Sequence, residues 1–178
     1  MGALELYIRV IDGINTVVGK VVAWMTLGTV VVCFATVYFR YALDSGFIWM
    51  QEAYVWQHAI VFLVGAGYTL LHNGHVRVDI FYAQMTARKR AMVDLFGTLF
   101  FMFPFLWVLF ARAWPFFMTA YLGDENSQQP DGIPNVWILK SMLVWFCVLV
   151  GAQGLATICR SILFLAGNEK YKPAGGTH

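Results

Sequence analysis

Residues 141–159 read SMLVWFCVLVGAQGLATIC, nineteen consecutive positions without Asp, Glu, Lys or Arg. As a helix, a run of that length crosses the hydrocarbon core of a bilayer, which takes about 20 residues. Three more runs match it: residues 21–39 and 53–71, nineteen positions each, and residues 95–111, seventeen. All four are apolar all round, whereas transmembrane strands read as alternating segments of about ten residues. The expected fold is therefore an all-α integral membrane protein with four transmembrane helices. The spans fall at about residues 19–41, 51–72, 91–118 and 137–164 of a single membrane domain, 1–178, with a cytoplasmic tail at 165–178. The first run is too long, and too far from the N-terminus, for a cleaved signal peptide.

Composition agrees. Of 178 residues, 60% are hydrophobic and only 12% charged, about half the charged share of a soluble domain. One small domain cannot hide that much apolar side chain from water, so lipid is part of its solvent. Twelve Lys and Arg against ten Asp and Glu form no clustered basic face, which excludes nucleic acid as a partner. The hydrophobicity excludes disorder.

The positions of Lys and Arg set the expected orientation. Arg9 and Lys20 precede the first span; Arg77, Arg88, Lys89 and Arg90 follow the second; Arg160, Lys170 and Lys172 follow the fourth. Those nine fall on one side, against Arg40, Arg112 and Lys140 on the other. Both termini are expected in the cytoplasm. Tyr38, Tyr41, Trp49, Tyr54, Trp114, Tyr121 and Trp137 gather near span ends on the opposite side, where amphipathic rings anchor at headgroup level. An acidic outer loop at 124–131 completes the asymmetry.

Outside the core, residues 4–20 place Leu4, Ile8, Ile11 and Val18 on one helical face and Glu5, Arg9, Asp12, Thr16 and Lys20 on another. This amphipathic segment either lies along the cytoplasmic interface or extends the first span, with a break made possible by Gly13. Asn73-Gly74 signals a turn, and residues 79–85 suit a short interfacial helix before the basic cluster. Pro130, Gly132 and Pro134 keep the third loop irregular. No repeat or inverted symmetry is visible, unlike transporters with midplane sites.

Chemistry is sparse. Cys33, Cys147 and Cys159 lie within apolar runs, with no C-x-x-C, and read as small buried hydrophobes. A membrane haem needs two facing imidazoles, but His58 alone lies inside a span; His72 and His75 sit at its end and His178 is terminal. A zinc site lacks convergent ligands for the same reason. Intramembrane charge, where transport chemistry normally shows itself, is nearly missing: Glu52, Asp94, Arg112 and Lys140 fall at span ends. The remaining polar and small residues in spans, Gln57, His58, Gln153, Gly65, Gly67, Gly151 and Gly154, suit helix packing.

Several motifs nevertheless occur in a telling order. Arg40-Tyr41, Trp49-Met50-Gln51-Glu52, Gly65-Ala66-Gly67 and His75-Val76-Arg77-Val78-Asp79 are followed by Glu125-x-Ser127, Gly132-Ile133-Pro134-x-x-Trp137-x-x-Lys140, and Gln153 through Arg160. Together, over about residues 40–160, they resemble the small membrane subunit of tripartite ATP-independent periplasmic (TRAP) transporters, with its W-x-x-E and H-x-R-V-D patterns around the second span. Where that family often carries two acidic or Ser-Glu residues, this chain has Gln51-Glu52.

The resemblance implies a non-catalytic scaffold in the bacterial inner membrane, not an enzyme. It would brace a large multi-span permease subunit for sodium-coupled uptake of an organic acid delivered by a periplasmic substrate-binding protein. It would bind no cofactor itself, with sodium held by the large subunit. Candidate contacts to partners are Arg40, Trp49, Glu52, Arg77, Asp79, Glu125, Trp137, Lys140 and Gln153. Glu52 pairs either with a partner or with Arg40, and Trp49 serves equally as an interfacial anchor. Arg88, Lys89 and Arg90 are expected at phospholipid headgroups. A second reading, the membrane anchor subunit of a haem- or quinone-linked redox complex, needs another buried His or a quinone site. A self-sufficient exporter would need an intramembrane carboxylate.

Overall fold

The computed structural model describes residues 2–75, 82 and 84–173. Every regular element among them is helical: α1 (Gly2–Ala42), α2 (Ile48–Val64), α3 (Ala66–Leu71), α4 (Ala87–Gly97), a π-turn (Thr98–Met102), α5 (Phe103–Leu122), α6 (Trp137–Leu165) and a short 3-10 turn (Glu169–Tyr171). Four stretches are long and apolar enough to cross a membrane: Gly2–Ala42, Ile48–Leu71, Ala87–Leu122 and Trp137–Leu165.

α1 is a single helix of 41 residues, about 60 Å long. The amphipathic segment continues the first span without a break at Gly13, so of the two expected arrangements the chain adopts the extension. The face that carries Ile8 and Ile11 is why. Tyr7, Asp12 and Asn15 all bond to α6, so the helix has a wall to pack on well before its apolar run begins at residue 21.

The second span is interrupted only at Gly65 (φ −73°, ψ −14°). That residue keeps both helical bonds, its N–H to Val61 and its C=O to Thr69, so α2 and α3 act as one rod. In the third span, Pro104 lacks an N–H and its ring presses on the carbonyl four residues back, at Phe100. A wider turn precedes it: Phe103 N–H reaches Thr98, five residues back. The residues 76–81 and 83, which include most of the expected interfacial helix at 79–85, lie outside the described residues.

Helix ends share one device. After α3, α5 and α6, one residue takes the left-handed conformation: Asn73 (φ 52°), Asp124 (φ 46°) and Gly167 (φ 100°). In each case the next N–H returns to the carbonyl five residues earlier, Gly74 to Thr69, Glu125 to Ala120 and Asn168 to Leu163. This is the Schellman arrangement, which satisfies carbonyls the helix would leave bare.

α6 is the centre of the bundle and touches every other helix. α2 folds back along the second half of α1, and α4 and α5 run along another side of α6. Ala66, Leu106, Cys147 and Val150 form one core, backed by Met102, Leu109 and Phe110; Ile8, Ala156 and Leu163 form a second, with Tyr7 and Ile11. Small residues set the spacing, as packing in lipid requires. A side chain at Gly154 would collide with Met102, and one at Gly67 with Asn15. Many large apolar side chains point outward instead; Trp24, Phe34, Phe62, Phe101 and Trp107 are each over 70% exposed. In water that surface would aggregate. In lipid it is ordinary.

Candidate functional site

Polar chemistry concentrates in two layers, one at each end of the bundle. Lys140 and Arg160 mark them on α6, twenty residues apart, roughly 30 Å by helical rise. That is the thickness of a hydrocarbon core.

The terminal layer joins α1 to α6. Arg160 Nη2 donates to both carboxylate oxygens of Asp12, at 2.5 Å each. Gln153 Nε2 donates to the same Asp12 at 3.2 Å, and Gln153 Oε1 accepts from Asn15 Nδ2 at 2.7 Å. Asn15 and Gln153 are fully buried. Asn15 Oδ1 has no hydrogen-bond partner among the described residues and faces Gly67, where any Cβ would strike it. Below this chain of groups, Asn168 donates to Glu5 at 3.2 Å, so both ends of the described chain lie at the same end of the bundle. Asp12 and Asn15 are one helical turn apart, and Gln153 and Arg160 two turns apart, so each pair shares a face.

The loop layer holds residues 123–136 against the helix ends. Glu52, in the first turns of α2, accepts from Ser127 Oγ and from Ile133 N–H, the latter at 2.6 Å. The loop also closes on itself: Lys140 Nζ meets Glu125 Oε2 at 2.5 Å, and Val136 N–H bonds Glu125 O at 2.9 Å. Lys140 sits over the Phe116 ring at 4.1 Å. Asp131 and Asn135 take the left-handed conformation that lets the loop reverse. Aromatic side chains gather here as expected: Phe39, Phe47 and Trp49 touch in series, as do Trp114, Phe117, Tyr121 and Trp137.

Of the residues singled out from sequence, Glu52, Glu125, Trp137 and Lys140 thus come together at the loop end. Trp137 Nε1 donates to Asn135 there at 3.2 Å. Trp49 is half exposed nearby. Arg40, in the last turn of α1, is exposed and makes no ion pair among the described residues; the Glu52 carboxylate meets the loop. Gln153 lies at the other end. Arg77 and Asp79 fall outside the described residues. Arg88 and Lys89 are exposed at the start of α4, while Arg90 bonds the Tyr82 carbonyl at 3.1 Å and lies over its ring.

Sequence reasoning did not pair Asp12 with Arg160, Asn15 with Gln153, or Ser127 with Glu52. The helical spacing of Asp12 and Asn15 was an available signal for the first two. No group of three or more His, Cys, Asp or Glu that could hold a metal occurs among the described residues, and His58 faces outward. The three cysteines are free.

Four membrane-length helices, polar layers one bilayer apart and loops braced within the chain define a small multi-pass membrane protein. Residues 29–164 match the family described as tripartite ATP-independent periplasmic transporters, DctQ component, and the chain belongs to that family, the small permease component of these transporters. Searches of curated proteins and of solved structures found no match.

Proposed function

We propose that this chain is the non-catalytic scaffold of its transporter. It braces a large permease subunit in the inner membrane, with both termini cytoplasmic, during sodium-coupled uptake of an organic acid delivered by a periplasmic binding protein. One observation carries this reading: the most deeply buried polar side chains, Asn15 and Gln153, are spent on a joint within the chain. Gln153 and Asn15 tie α1 to α6, and Arg160 is matched by Asp12. The four charge-free runs hold no carboxylate that could relay a proton or cage an ion. The remaining surface is apolar and outward-facing, suited to lipid and to a neighbouring membrane protein.

The orientation rests on the charge count: the end bearing Arg160 carries the excess of Lys and Arg. The loop layer then faces the periplasm, where a binding protein docks. The test is uptake into reconstituted vesicles. With the large subunit and binding protein but without this chain, sodium-driven uptake is expected to fall to background. Full-rate uptake in its absence would end the scaffold reading.

A further inference from the structure

Three cations stand on α5 and α6, and two of them are matched within the chain. A helical side chain leans toward the N-terminus of its helix. On α6, which runs from the loop end to the terminal end, Lys140 therefore leans toward the loop and finds Glu125, while Arg160 leans inward and finds Asp12. The third is Arg112. It is exposed on α5 and has no ion-pair or hydrogen-bond partner among the described residues.

Its depth follows from contacts along α6. Phe116 lies beside Lys140 at the loop layer, and Leu106 lies against Gly151 near the middle of the bundle. Arg112 is one turn below Phe116, about 6 Å toward the middle. Because α5 runs from the terminal end to the loop end, the Arg112 side chain leans deeper still, away from the nearer headgroups. Phe101, Phe105, Val108 and Phe116 flank it at helical spacing, all exposed, so the cation stands in an apolar stripe. An unmatched guanidinium there is costly. A second copy of this chain offers a poor remedy, since Glu52, the carboxylate at the loop end of α2, already accepts from Ser127 and Ile133 within its own chain.

We infer that the Arg112 face of α5 seats a membrane helix of the large subunit, which presents an Asp or Glu carboxylate to the guanidinium. This rests on the scaffold reading above. It goes further by naming the face and the chemistry of the contact.

The experiment purifies the tagged chain co-expressed with the large subunit, in detergent. R112Q is expected to retain its helicity and thermal stability, because Arg112 bonds nothing among the described residues, but to bring down about tenfold less large subunit. In R112K, treated in the membrane with a hydrophobic carbodiimide, the activated carboxylate and the amine are expected to form an amide. Mass spectrometry should then map it from position 112 to an Asp or Glu of the large subunit. Undiminished complex with R112Q, or a bound phospholipid lost from R112Q with no cross-link from R112K, overturns the inference and leaves the scaffold reading standing. If the wild-type chain itself brings down no large subunit, the scaffold reading fails and this inference with it.

Discussion

The two polar layers solve different problems. At the terminal end, side chains from two regular helices meet each other, Asn15 and Asp12 against Gln153 and Arg160, and the central amides are shut off from solvent. At the loop end, one helical carboxylate, Glu52, grips a hydroxyl and a backbone N–H of an irregular segment. The ion pair beside it is partly exposed, with 38% of the Glu125 side chain accessible. The first arrangement fixes how helices cross. The second fixes only how a loop lies on helices that already cross. Damage at the terminal layer should therefore spread through the bundle, and damage at the loop layer should stay local.

The sharpest way to break that contrast is G67V. Its side chain would meet Asn15 and the Leu149 Cβ at once, so α3 must move away from both α1 and α6. The expected loss is about 3 kcal/mol or more, seen as low yield and a large fall in the detergent melting temperature. Near-normal melting would mean that α1 and α3 do not cross as closely as described.

Q153L comes next. It leaves Asn15 buried with neither end of its amide bonded and removes one bond from Asp12, for an expected loss of about 2 kcal/mol. Paired amides in membranes are often worth less than that, so the double variant decides the cause. N15L/Q153L replaces both polar partners with apolar ones and should be more stable than the two single effects predict. Strict additivity would mean that Asn15 and Gln153 do not act as a pair.

The spans were legible because charge is excluded from them: residues 141–159 lie wholly inside α6 and residues 53–71 wholly inside the α2–α3 rod. The long reach of α1 was less so. Gly13 and the amphipathic pattern allow a break, and only the packing of Tyr7, Asp12 and Asn15 on α6 removes it. Likewise Gln153 stood out as a polar residue in an apolar run, but its partner lies 138 positions away. Residue spacing within one helix says which face a group is on, not which helix that face meets. Glu52 was singled out by its motif, yet Ser127 and Ile133 are paired with it by the fold of a loop whose turns depend on left-handed Asp131 and Asn135. Nor did two prolines in the third span announce a π-turn at one and an uninterrupted helix at the other, Pro115.

E52Q should have the smallest effect and is the most discriminating. The amide oxygen can still accept from Ser127, but the amide nitrogen cannot accept from Ile133 N–H, so one of two charge-assisted bonds is lost. The expected cost is about 1 kcal/mol, and it falls on the loop, since Lys140–Glu125 and the bond from Val136 to Glu125 remain. Limited proteolysis within residues 123–136 should quicken severalfold while the bundle melts almost unchanged. If E52Q instead lowers the melting temperature as far as Q153L does, the loop is part of what holds the helices together, and the distinction between a fixed joint and a local clamp fails.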